Sequence, residues 1–278
     1  MKSIKKIGLF LLRYVPLILG FICVLVPVYW VTVTAFKKEA NVLRRPAQYI
    51  PDPITVENFK TVWGTSGFSN YFLNTFIVAI IVAVITVAFS ILAAYAISRY
   101  KFKGKSAFLI ILLITQMFPG AMLIVPLFMI FKNMGLISSL WSLVISYTAV
   151  QVPFSAVLMK SFIDDIPYEI EEAAMIDGCN RFSIIIRIIM PLLIPGIVAI
   201  AAFSFMNSWN EFLFPMMFIN KQSNFVISIG LLYMIGQNTA YYGALAAGSL
   251  IAAAVPVILF VFFQKYMVKG LSSGAVKA

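Results

Sequence analysis

Residues 71–97 read Tyr71-Phe-Leu-Asn-Thr-Phe-Ile-Val-Ala-Ile-Ile-Val-Ala-Val-Ile-Thr-Val-Ala-Phe-Ser-Ile-Leu-Ala-Ala-Tyr-Ala-Ile97, a run of 27 residues without a charge. A helix rises about 1.5 Å per residue, so about 20 residues cross a hydrocarbon core of about 30 Å. The run is long enough to span a membrane. Apolar residues follow one another on every side instead of alternating with polar ones, which excludes a barrel strand, the other structure able to cross lipid.

The rest of the chain repeats the pattern. Uncharged stretches of the required length cover residues 14–36, 106–131, 133–159, 188–210 and 222–264. The last contains Gly236-Gln237-Asn238-Thr239, which leaves residues 242–263 as its apolar part. Together with 71–97 they predict an all-α membrane protein of six transmembrane helices. The basic N-terminus ahead of residue 14 raises a cleaved leader, but a leader core is about 7–15 residues long. At 23 residues, the run 14–36 reads as a retained first span.

Composition agrees. Of 278 residues, 62% are hydrophobic and 11% charged, with no histidine. A water-soluble domain carries about 25% charged residues. The net charge of +11 sits in short segments between the apolar runs, which argues for membrane-flanking loops and against nucleic acid. Lys and Arg set the orientation. With the N-terminus inside, 14 positive residues fall on the cytoplasmic side and 7 outside, so both termini are expected in the cytoplasm. Cys23 and Cys179 support neither a disulfide framework nor a metal site. In the last run Ala244, Gly248 and Ala252 recur at every fourth residue, a small-residue face for close helix packing in lipid.

One polar segment stands apart. Residues 161–178 hold six of the ten acidic residues: Asp164, Asp165, Glu169, Glu171, Glu172 and Asp177. Pro167 suits a helix start and Gly178 a helix stop, which predicts a short cytoplasmic helix over residues 167–177. A solvated acidic loop and a docking helix are both readings of this composition. Ala173 and Ala174 favour docking, because small side chains let another surface approach closely.

Glu172-Ala173-Ala174, three residues, Gly178, nine residues, then Ile188-Ile189-Met190-Pro191 resembles the signature loop of binding-protein-dependent ABC import permeases, with Met190 where that family has Leu. Asn58-Phe59, Ala93-Ala94-Tyr95-Ala96, Trp209-Asn210-Glu211-Phe212 and the tail from Lys269 are similar to the carbohydrate branch, above all to the smaller permease subunit of maltose-type importers. The resemblance implies a type I ABC importer transmembrane fold with a cytoplasmic coupling helix. Residues 1–69 would form an N-terminal segment, first span and external loop, residues 70–265 the core with its coupling loop at 161–190, and residues 266–278 a cytoplasmic tail.

The same resemblance implies a heteromeric importer in a bacterial or archaeal cytoplasmic membrane. It would contain a second permease, two ATPase subunits holding ATP and Mg, and an extracytoplasmic solute-binding protein that delivers a sugar or oligosaccharide. Glu172, Ala173, Ala174, Asp177, Gly178 and Pro191 are the expected ATPase-coupling residues, with Gly178 as the turn into residues 180–187.

This chain carries no ATP site of its own. Gly104-Lys105-Ser106 lacks the glycine that a phosphate-binding loop needs five residues earlier, where Arg99 stands. The chain is expected to be non-catalytic, with no cofactor or metal. Glu211 is the acid inside the apolar part of the later spans, and Ser204, Asn207 and Glu211 share a helix face there. A polar substrate pathway of Asn207, Trp209, Asn210 and Glu211, with Trp209 stacking on a sugar, is one reading. Interhelical hydrogen bonds with an interfacial tryptophan are the other. Among rival functions, a permease for a non-sugar solute shares the loop signature, and an ion-coupled carrier would need more ionisable groups in its spans.

Overall fold

The computed structural model describes residues 2–65, 67–235 and 241–275, and every regular element among them is a helix. Four helices are long and apolar enough to cross a membrane: Arg13–Ala35, Phe68–Arg99, Leu140–Asp164 and Tyr242–Tyr266. Two further candidates are bent pairs, Lys105–Thr115 with Gly120–Asn133 at 95° and Arg181–Leu192 with Ile194–Asn210 at 80°. Six spans result if each pair crosses once.

The bends correct the expectation of straight helices over 106–131 and 188–210. Both breaks have a sequence cause. Phe118-Pro119-Gly120 interrupts the first, where Pro119 cannot donate to the helix ladder. In the second, Ile185–Ile189 winds as a π-turn just before Pro191, and Pro195 follows within the next helix. The fourth span also moves, from 133–159 to Leu140–Asp164, because Ser139 caps its start by accepting from the Trp141 N–H at 3.3 Å. The last helix continues to Ala275, so most of the stretch expected as a tail over residues 266–278 is helical. Gly236-Gln237-Asn238-Thr239 lies outside the described residues.

The chain forms two compact units. The first joins Met1–Ser69 to Gly230–Ala254. Here the Asn58 amide donates to the carbonyls of Ala35 and Lys37 at 2.8 and 2.7 Å and so satisfies the open end of the first span. Glu39 accepts from the Gly243 N–H at 2.9 Å, and Phe36 packs on Phe59 at 5.1 Å between centroids. A Cβ at Gly248 would stand 2.8 Å from Leu231, which shows how the small-residue face lets chain segments approach.

The second unit joins Asn70–Ile229 to Val255–Ala278 and holds two apolar cores. One gathers Tyr71, Val78, Phe131, Leu143, Phe214 and Phe218. Asn74 clips the chain after Lys221 to this end, donating to the carbonyls of Ser223 and Phe225 at 3.0 and 2.9 Å. The other core gathers Ile91, Tyr95, Met159, Ile163, Ala174 and Ile189 beneath the acidic segment. Outward faces remain apolar, with Ile80, Val84, Phe89 and Leu92 exposed along one helix, as lipid contact requires.

Candidate functional site

The acidic segment leaves the Leu140–Asp164 span through Asp165, Ile166 and Pro167 and becomes a helix over Glu169–Ile176. It is shorter than the expected 167–177 because Tyr168 serves as the N-cap and Asp177 as the C-cap. Its end is closed by two hydrogen bonds, Gly178 N–H to the Met175 carbonyl at 3.1 Å and Cys179 N–H to the Ala174 carbonyl at 3.0 Å. That pair is the Schellman pattern, and Gly178 takes the left-handed residue at φ +84° that the pattern needs. Asn180 then starts the next helix, its side chain accepting from the Ser183 N–H at 2.8 Å.

The helix has two unlike faces. Glu172, Ala173 and Asp177 are exposed, as are Gly178 and Pro191. Ala174, expected beside Ala173 on a docking surface, turns inward and packs in the core with Tyr95 and Ile163. The inward face also carries an acid, Glu171, which is 0% exposed. Its Oε1 accepts from Arg99 Nε at 2.5 Å and its Oε2 from the Tyr95 hydroxyl at 2.7 Å. Arg99 Nη2 donates to the Ile166 carbonyl at 2.8 Å, and the guanidinium lies 5.7 Å from the centre of the Tyr168 ring. Arg181 sits 5.1 Å from the Tyr100 ring on the other flank.

The Glu171–Arg99 pair escaped the sequence reading, which counted Arg99 among the orientation charges. A signal existed: Glu171 and Ala174 are three apart on one helix face, and Tyr95 and Arg99 four apart on another.

The second set of residues lies along Ile194–Asn210. That helix stops at Asn210, and Glu211 is extended, at φ −69° and ψ 135°, so Glu211 does not continue the helical face expected for Ser204, Asn207 and Glu211. Glu211 Oε1 accepts from the N–H groups of Phe212, Leu213 and Phe214 at 3.1, 2.8 and 3.3 Å, covering the start of the Leu213–Phe218 helix.

Asn207 and Glu211, with Tyr147 and Gln151, line a cavity of about 210 Å3. Ser204 is not part of an open surface: it donates to Gln151 Oε1 at 2.6 Å, while Gln151 Nε2 donates to Ser208 at 3.1 Å, joining two helices through buried polar groups. Asn210 is exposed and donates to the Met206 carbonyl at 2.9 Å. Trp209 is 2% exposed and packs against Phe72 and Phe205 at 5.3 and 5.6 Å. This corrects its expected part as a sugar platform, because the ring is buried, stacked on Phe205 and in edge contact with Phe72, and presents almost no surface to a sugar.

Comparison with known proteins places this geometry in a family. A model of the "binding-protein-dependent transport system inner membrane component" matches residues 86–273, which include both the acidic helix and the cavity. The chain is 37% identical over 264 residues to the probable ABC transporter permease protein YurM of Bacillus subtilis, covering 95% of this chain and 87% of that one. It is 32% identical over 260 residues to the diacetylchitobiose uptake system permease protein DasC of Streptomyces coelicolor, covering 92% and 93%. In three dimensions it is similar to a chain of a bacterial ABC transporter that imports the acidic polysaccharide alginate, with a TM-score of 0.83 at 20% identity, over 96% of this chain and 98% of that one.

Proposed function

Because the chain belongs to the family of binding-protein-dependent transport system inner membrane components, we propose that it forms half of the translocation pathway of an ABC importer for a sugar or oligosaccharide. It is a non-catalytic membrane subunit, and hydrolysis of ATP with Mg takes place on two separate ATPase subunits. A second permease completes the pathway, and an extracytoplasmic binding protein delivers the cargo. The sugar assignment draws on relatives such as the diacetylchitobiose permease. Both termini lie in the cytoplasm, which rests on the excess of Lys and Arg in the inner segments.

The observation that carries the proposal is the two-faced acidic helix. Capped, anchored by its inward side and exposing Glu172, Ala173 and Asp177, it is preformed for a cationic cleft on the ATPase. Docking then costs little ordering entropy. Gly178 sets the turn by which the loop meets the bent helix carrying Pro191. Asn207 and Glu211, joined by Tyr147 and Gln151 at the cavity, and the exposed Asn210 are the polar groups offered to the cargo.

The test is a Glu172→Cys variant of the assembled transporter. A membrane-impermeant thiol reagent should reach it only from the cytoplasmic side, and it should crosslink to cysteines lining the ATPase surface. Labelling from outside, or no crosslink at any ATPase position, would overturn the assignment.

A further inference from the structure

The coupling loop connects to the membrane in two mechanically different ways. Along the chain, the path runs through left-handed Gly178, the π-turn of Ile185–Ile189 and an 80° bend before Ile194. Each is a place where the backbone departs from a regular helix, so this route is not one continuous rod. Through space, the path runs from Glu171 to Tyr95 and Arg99, one turn apart at the end of Phe68–Arg99, a continuous helix of 32 residues.

That second connection is stiff for a physical reason. A fully buried carboxylate must stay paired, since an unpaired charge away from water is strongly disfavoured. Side chains of Arg99 and Glu171 are 8% and 1% exposed, so water offers neither a ready substitute partner. The Arg99 side chain holds the loop at three places: the Ile166 carbonyl, the Tyr168 ring and the Glu171 carboxylate. Glu171 Oε2 is occupied separately by Tyr95, which fixes the carboxylate's rotation. Loop and long helix therefore separate only by exposing an ion pair and two further hydrogen bonds together.

We propose that Glu171, Arg99 and Tyr95 form a clasp that makes the coupling helix move as one body with the Phe68–Arg99 span, so that this span, and not the chain-linked Ile194–Asn210 helix, receives the ATPase's motion first. This rests on the coupling reading given above and adds its route. The three are positioning residues, each acting through its contacts within this chain. The exposed acid Glu172 engages the partner, and its buried neighbour Glu171 passes the displacement on.

The experiment uses the complete transporter in liposomes. Glu171→Gln keeps the side chain's volume but removes the charge. Cargo moved per ATP hydrolysed is expected to fall about tenfold, within the usual range for coupling between sites, while ATP hydrolysis by the assembled complex persists. A purely structural pair would instead lower the yield of complex and leave that ratio at the parental value, which would overturn the clasp.

Spin labels at Glu169→Cys, exposed at the start of the helix and outside the docking residues named above, and at Leu92→Cys give a second readout. Their separation should stay constant between nucleotide-free and ATP-trapped states in the parent and change between those states in Glu171→Gln. A parental separation that changes would also overturn it. If Glu171→Gln fails to assemble, Tyr95→Phe removes a single buried hydrogen bond and should lower the ratio about threefold, the scale of one net hydrogen bond; an unchanged ratio there counts against the clasp. Failure of the clasp is separable from failure of docking, because the Glu172→Cys crosslink reports docking alone.

Discussion

Substitution of Gly178 separates backbone conformation from side-chain size. Its φ is +84°, and a Cβ built on it would meet nothing within 4 Å. Neighbouring atoms of this chain therefore put no penalty on a Cβ; the penalty is the residue's own backbone. A left-handed conformation costs an ordinary L-residue about 1–2 kcal/mol, less for Asn, and more for a β-branched side chain. Such a cost lowers the ratio of closed to open turn about 5–30-fold.

The two hydrogen bonds that close the turn report this directly, because the Cys179 N–H is protected only while it reaches the Ala174 carbonyl. Hydrogen exchange of that amide in the assembled transporter should accelerate slightly for Gly178→Asn, about 5–30-fold for Gly178→Ala, and at least as much for Gly178→Val. Coupled transport should fall in the same order, while membrane insertion stays at the parental level. Equal losses for Asn and Val, or parental protection in Gly178→Ala, would refute a conformational role.

Three other outcomes follow from contacts in the structure. A Cβ at Gly243 would lie 2.7 Å from both Asn58 Nδ2 and Glu39 Oε2, so Gly243→Ala should disturb buried hydrogen bonds and cost about 1–3 kcal/mol, read as a lower thermal midpoint of the detergent-solubilised complex. Trp209→Ala should lower stability by about 3–5 kcal/mol and reduce assembled complex, whereas Asn207→Ala should leave assembly unchanged and raise the KM for cargo. Glu211→Gln retains an oxygen for the N–H groups of residues 212–214 and should preserve the fold, while Glu211→Ala should cost about 1 kcal/mol through loss of that cap; thermal melts of the two variants check the difference.

Much of the architecture was legible because lipid is an unforgiving solvent. Uncharged runs such as 71–97 have to be helices, and the distribution of Lys and Arg predicts which loops stay inside. Where Pro119, Pro191 and Pro195 stand, the spans bend, but a proline reports a lost hydrogen bond and leaves the angle to packing. The cap at Gly178 was readable for a local reason: only a residue without a Cβ adopts that turn freely. Side-chain direction was less accessible. Trp209 beside Asn210 and Glu211 suggests a polar surface, and in the structure the ring turns into the Phe72–Phe205 cluster.

Local chain chemistry, then, determined by itself that this protein is helical, membrane-spanning and equipped with a capped acidic helix between two spans. Tertiary structure decided which of two adjacent acids is free and which is held. Glu171 and Glu172 are indistinguishable as residues, but a helix advances about 100° per residue, so one meets Arg99 and Tyr95, 72 and 76 positions away in the chain, while the other meets solvent. Contacts at that separation depend on how helices pack; local spacing shows only which residues share a face, not which faces meet.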